Sequence, residues 1–137
     1  MSVMPRDDQI EALAQSTEDG PIVMVNLLRF RDTALYAPEL AEAGEQLSGR
    51  DAYRRYGATA LACVLETGGT ITWGGRQELV MIGGPDDVWD EVMCVRYPSR
   101  TAFLEMTARP DYRAALYHRD AGLARTVLLC CSAGTAA

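Results

Sequence analysis

The sequence predicts an α+β fold: a helical extension followed by elements in the order β-α-β-β-α-β, forming a four-stranded antiparallel sheet with both major helices on one face. Three observations carry this reading. Four stretches rich in Val, Ile and Leu are separated by two amphipathic stretches of helical period. Clusters of Gly and Pro mark the boundaries between them. The two middle strands are joined by a turn and not by a helix, which makes a hairpin between two βαβ halves. That is the ferredoxin-like arrangement.

Residues 5–15 place Ile10, Leu13 and Ala14 at helical spacing behind Pro5 and two Asp, so they start a short helix that residues 19–21 break. Residues 22–30 (IVMVNLLRF) form the first strand. Residues 31–50 carry Pro38, Gly44 and Gly49; a loop this long implies a function or a partner surface, with a short helical turn over 38–46. Residues 51–66 form the main helix, with Tyr53, Tyr56, Ala60 and Val64 on one stripe, Ser48 or Gly49 as cap, and Gly68-Gly69 as stop. The second strand covers 70–82, bent at Gly74-Gly75; residues 83–87 turn the chain, and 89–97 return as the third strand. Ser99 caps a helix bearing Phe103, Leu104 and Met106, and Pro110 starts another that ends before Gly122. Residues 125–131 are the fourth strand. The chain divides into an extension (1–19), a core (20–131) and a tail (132–137) of one domain.

Composition narrows the chemistry. The chain has 137 residues and a net charge of −6, and all 13 basic residues are Arg. Without Lys there is no Walker-type phosphate loop, Schiff base or Ser–Lys nucleophile. With His118 as the one histidine, no two-His zinc motif exists on the chain, and no metal is expected. The acidic balance argues against nucleic acid as a partner. No apolar run reaches the ~18 residues of a membrane span and no leader is visible, so no membrane partner and a cytoplasmic location are expected. Cys63, Cys94, Cys130 and Cys131 have no metal-ligand spacing and read as reduced, buried residues. The acids around Asp86, Asp87, Asp90 and Glu91 read as a solvated turn.

The strands are apolar on both faces. Ile22, Met24, Leu28 and Phe30 alternate with Val23, Val25 and Leu27; Met93, Val95 and Tyr97 alternate with Val92 and Cys94. This is the pattern of a sheet covered twice. The chain's own helices cover one face, and a second copy packed sheet to sheet covers the other, unless the N-terminal helix takes part of it. A homodimer is expected.

Candidate site residues are polar or aromatic groups on these apolar elements. Asn26 interrupts the row of Ile22, Met24, Leu28 and Phe30 on the first strand, where it either orients a ligand between sheet and helices or satisfies a backbone group. His118 has the one side chain with an unperturbed pKa near neutrality; it either moves a proton or is a helix-end residue held by the dipole or Asp120. Arg96 either aims its fork at a carboxylate or phenolate, or pairs with an acid such as Glu78. Trp73, Tyr53 and Tyr56 either wall a pocket or are plain core.

Several stretches resemble a known group. These are residues 21–30 (PIVMVNLLRF), the Gly49-Arg50-Asp51-Ala52-Tyr53 helix opening, and Tyr97-Pro98-Ser99-Arg100 followed by Ala-Phe-Leu. Pro110-Asp111-Tyr112 and His118-Arg119-Asp120-Ala121-Gly122-Leu123 belong with them. Together they resemble an uncharacterised domain-of-unknown-function branch of the dimeric α/β-barrel superfamily, related to antibiotic biosynthesis monooxygenases. The resemblance implies a ferredoxin-like subunit joined to its copy through the sheets. By analogy it points to a cofactor-free oxygenase, isomerase or cyclase acting on an apolar or aromatic carbonyl compound. In that reading His118 and Asn26 are catalytic, Arg96, Trp73, Tyr56 and Tyr53 bind substrate, and Asn26, Arg96 and His118 must line one enclosed cavity. The alternatives are a non-catalytic homodimer that binds a ligand or a protein partner, and haem binding through His118.

Overall fold

The computed structural model describes residues 3–18 and 20–134. Eight elements follow one another: α1 (Asp7–Ala14), β1 (Ile22–Phe30), α2 (Gly49–Glu66), β2 (Thr70–Arg76), β3 (Glu91–Tyr97), α3 (Arg100–Ala108), α4 (Pro110–Gly122) and β4 (Leu123–Ser132). The sheet order is β2-β3-β1-β4 with every pair antiparallel. This is the ferredoxin-like α+β fold. Ser48 caps α2, its hydroxyl accepting from Asp51 N at 3.1 Å, and Ser99 caps α3 in the same way from Ala102 N at 3.0 Å. Pro110 opens α4, where its missing N–H costs nothing.

The inner row of β1, with Ile22, Met24 and Leu28, is buried under α2, α3 and α4, as are Val95 and Tyr97 of β3. Cys63 and Val64 of α2, Phe103 and Met106 of α3, and Tyr112 of α4 fill this side. The register sets Val23, Val25 and Leu27 beside Arg96, Cys94 and Val92 on one flank and beside Cys131, Leu129 and Val127 on the other. Those residues form the opposite face, joined by Trp73, which pairs with Cys94. No described element lies over it: α1 packs against α3, on the helix side. Trp73 is 57% exposed and Leu129 47%.

Several elements differ from their expected extents. β2 stops at Arg76 and not at Ile82. A bulge between Ile71 and Trp73 shifts the register, and the Gln77 side chain then takes backbone partners a longer ladder would have used. Its amide donates to Asp87 O at 2.9 Å and accepts from Trp89 N. Leu79, Met81 and Ile82 therefore leave the sheet, Ile82 98% exposed. β3 starts at Glu91 because the Asp90 carboxylate turns back to accept from Phe30 N at 2.8 Å. β4 begins at Leu123 because α4 hands over to it without a loop. Cys63 is buried as expected, but Cys94 is half-buried and Cys130 and Cys131 are exposed: Cys94 and Cys131 lie on the open face, and Cys130 lies near the end of edge strand β4.

The 31–48 segment is knitted to the chain's own helix ends. Arg31 N donates to Gly122 O at 2.8 Å, and Arg31 O accepts from Gly49 N at 3.0 Å. Ala34 N donates to Leu47 O, Leu35 N to Ala121 O, and Tyr36 buries its ring beside Ala52 and Ala121. Its helical turn is a 3-10 turn at Ala41–Gly44. At this junction the first residue of α2 meets the last of α4 with no room for a side chain. A Cβ on Gly49 would stand 2.2 Å from Arg31 O, and one on Gly122 2.5 Å from Gly49 O. Gly49→Ala or Gly122→Ala is expected to lower stability by about 2–3 kcal/mol through overpacking, read by urea unfolding. A loss below about 0.5 kcal/mol, the range of ordinary surface changes, would contradict the close contact.

Candidate functional site

Between the inner sheet face and the helices lies a cavity of about 800 Å³. That is within the range of small-molecule sites. Its floor comes from Met24 and Asn26 of β1 and Met93 and Val95 of β3; its walls come from Tyr53, Tyr56 and Ala60 of α2 and from Tyr112, Leu116 and Arg119 of α4. Met4, Pro5 and Ile10 close one side. The lining surface is mostly apolar, with Asp7, Arg54, Glu91, Arg113 and Arg119 as its charged residues.

Asn26 reaches the cavity because every second residue of a strand faces the same side, and it shares a row with Met24 and Leu28. Its Nδ2 donates to Met24 O and Met93 O, both at 3.3 Å. The side-chain nitrogen thus serves the sheet, while Oδ1 accepts no hydrogen bond from the described residues.

The helical stripe read in the sequence places Tyr53 and Tyr56 one turn apart on α2, their rings 5.2 Å apart. Tyr56 stands edge-on to Tyr112 at 5.8 Å, and the two hydroxyls are hydrogen-bonded at 2.9 Å. Burial pushes the Tyr53 phenol up to about 12 and holds Tyr56 well above the ordinary tyrosine value, with the Arg119 charge opposing both shifts. Both phenols are protonated at neutral pH and serve as hydrogen-bond donors, not as bases.

Arg119 was not singled out from the sequence as a site residue. It is 8% exposed, and its Nη1 donates to Val3 O, with Met4 Sδ at 3.7 Å. Among the described residues no carboxylate lies within ion-pair distance of it. Glu91, which also lines the cavity, is held by Arg50, whose guanidinium lies 4.8 Å over the Phe30 ring. The signal was present in the helical period: Tyr112, Leu116 and Arg119 share the inward stripe of α4, while His118 is turned away by one residue, or about 100°.

The other candidates lie elsewhere. His118 is outside the cavity lining, with Nδ1 hydrogen-bonded to the Tyr36 hydroxyl at 2.6 Å and its ring 4.0 Å from that of Tyr117. Tyr117 in turn donates to Glu42 at 3.0 Å. Arg96 and Trp73 are on the open sheet face. The structure thus brings Asn26, Tyr53 and Tyr56 to one cavity and leaves His118, Arg96 and Trp73 apart from it. His118, the residue through which haem binding was expected, does not line the cavity. Among the described residues no group of three or more His, Cys, Asp or Glu is placed to hold a metal ion, and no helix is long and apolar enough to cross a membrane.

Burial holds the His118 imidazole below its ordinary value, with Arg55 acting the same way and Glu42 and Glu45 opposing. The unfolded chain therefore takes up the proton first as pH falls. The stability from the neutral ring is present above the unperturbed pKa of about 6.5 and is lost as pH falls through the lower folded value. Between pH 8 and pH 5 the native protein is expected to lose more stability than His118→Gln, measured by urea unfolding across pH. Equal losses in the two proteins would remove His118 as the cause.

Comparison with known proteins gives the relatives of this chain. The family model described as Domain of unknown function (DUF1330) matches residues 42–132. No curated protein matches the chain in sequence. Among solved structures, a protein of unknown function from Rhodopseudomonas palustris is 33% identical with a TM-score of 0.87, covering 98% of each chain. A methylated form of that protein gives 32% identity and a TM-score of 0.89, over 98% of this chain and 96% of the other. A dimeric protein of unknown function with a ferredoxin-like fold, from Bacteroides fragilis, is 10% identical with a TM-score of 0.50, over 82% of this chain and 95% of the other. At that identity the likeness concerns the fold.

Proposed function

The chain belongs to the DUF1330 family, a domain of unknown function, and we propose that it is a homodimeric small-molecule-binding protein whose subunits each hold an apolar or aromatic ligand between sheet and helices. The observation that carries this reading is the cavity of about 800 Å³, apolar in the main, with the Asn26 amide and the Tyr56–Tyr112 hydroxyl pair as its orienting groups. Sites of this kind gain affinity from apolar burial and selectivity from a few placed polar atoms. The proton-transfer role first assigned to His118 is not part of the proposal, because that imidazole is engaged by Tyr36 and Tyr117 outside the cavity. Tyr53 and Tyr56 keep their roles as ligand contacts, and Asn26, expected to be catalytic, is proposed as a ligand contact as well.

The dimer is the second half of the proposal. Burying roughly half a dozen apolar side chains of the open face, at about 1.5–3 kcal/mol each, is a large incentive to pair, and a two-fold arrangement matches like strands to like strands. The exposed Trp73 and Leu129 support it, and so do the exposed Leu79, Met81 and Ile82 in the β2–β3 connection. The dimeric state of the Bacteroides fragilis protein is in keeping with it.

Two outcomes test these halves separately. Naphthalene-2-carboxamide at ten times its dissociation constant is expected to add about 1.4 kcal/mol, raising Tm by about 3–5 °C in the native protein but not in Ala60→Trp, which fills the cavity. Equal shifts in both proteins, or none in the native one, contradict binding in the cavity. Light scattering is expected to give twice 15.0 kDa for the native chain and 15.0 kDa for Val25→Asp/Leu129→Asp. A native chain of 15.0 kDa contradicts the dimer.

A further inference from the structure

We infer that Arg119 is an anion anchor and that the cavity's ligand is a flat, apolar monocarboxylic acid whose carboxylate pairs with this guanidinium. The inference rests on the binding role proposed above and specifies its ligand. Burying a cation without an anion is costly, and a protein retains such a group only where something compensates it. Arg119 is more than nine-tenths buried, lines the cavity, and has no carboxylate partner among the described residues. Its Nη1 is used by Val3 O and Met4 Sδ, while no hydrogen bond in the described structure reaches Nε or Nη2. Those two nitrogens form one edge of the planar fork, the edge that matches the two oxygens of a carboxylate.

The neighbouring charges do not fill this role. Glu91 is held by Arg50, and Asp7, though it lines the cavity, is exposed on the first turn of α1. The other two arginines at the cavity, Arg54 and Arg113, are exposed, and Arg54 has Asp51 beside it at 3.8 Å. One buried cation balances one negative charge, so a monoanion fits and a phosphate dianion would remain under-compensated. The tyrosines add a second requirement. In the Tyr56–Tyr112 pair one hydroxyl hydrogen is spent on the other oxygen, which leaves one for a ligand acceptor. Asn26 Oδ1 has room for a ligand donor, so a hydroxyl on the ligand's body adds affinity and its absence does not abolish binding.

The test uses naphthalene-2-carboxylate and naphthalene-2-carboxamide, two probes of the same shape that differ in charge, by isothermal titration at pH 7.5. In the native protein the carboxylate is expected to bind at least tenfold more tightly than the amide. In Arg119→Met that preference disappears while the amide binds as before, and Arg113→Gln keeps it. Arg119→Met is also expected to melt no lower than the native protein, because it removes a buried charge that has no carboxylate partner among the described residues. Equal affinities of the two probes for the native protein overturn the anchor and leave the cavity reading standing. Absence of binding by both overturns the anchor and the cavity reading together. A carboxylate preference that survives in Arg119→Met, or is lost in Arg113→Gln, overturns the assignment to Arg119. So does a lowered Tm in Arg119→Met with unchanged carboxylate binding, which marks Arg119 as a strut for residues 3 and 4.

Discussion

A four-stranded sheet whose strands are apolar on both sides needs two covers, and this chain supplies helices for one. α2, α3 and α4 all lie over the row containing Ile22, Met24, Val95 and Tyr97, and α1 joins them on that side by packing against α3. The other row, from Trp73 through Cys94 and Val25 to Leu129, is left without a covering element among the described residues. The proposed assembly and the proposed ligand binding thereby fall on opposite faces of one layer. Changes that adapt the pocket side need not disturb the pairing side.

The helix side is not filled uniformly. Where α2 begins and α4 ends, glycine backbones touch and Arg31 bonds to both, so the helices are locked together at that junction. Tyr53 and Arg119 each lie within a turn of it, with Tyr56 and Tyr112 beyond. Rigid aromatic rings on helices clamped in this way hold a concave surface open instead of collapsing into it, since core side chains repack only at the cost of rotamer strain. The same clamp fixes where the buried guanidinium stands. A buried charge is thus set into a mostly apolar space, an arrangement in keeping with the proposed binding role, since sites of that kind trade some stability for selectivity.

Much of the fold was legible because it rests on periods. Alternation in IVMVNLLRF sorted the β1 residues into their two rows, and the 3.6-residue stripe on α2 put Tyr53 and Tyr56 together. Ser48, Ser99 and Pro110 marked helix starts through local chemistry that the surroundings did not override. What was not legible was tertiary. The apolar run through Ile82 promised a longer strand, but the bulge and the Gln77 side chain end the ladder at Arg76. His118 drew attention by its intrinsic pKa, a property of the residue and not of its direction. Arg119, one position on, has no such intrinsic signal; its inward direction follows from the period of α4, but its burial without a carboxylate partner among the described residues shows only in three dimensions. Arg96 falls on the open face because β3 alternates as a strand does, whereas Trp73 falls there because the bulge between Ile71 and Trp73 shifts β2 against β3; the two rows of β3 were legible in the sequence, but Arg96 was still expected in the cavity.

The central claim is that the helix-side cavity is a carboxylate site built around Arg119. Its most direct test is a crystal structure of the native protein grown with naphthalene-2-carboxylate. The account predicts the arene between the α2 and α4 tyrosines and both carboxylate oxygens against Nε and Nη2 of Arg119. A cavity closed by the protein's own side chains, or an Arg119 paired with an acid of the chain, would contradict it.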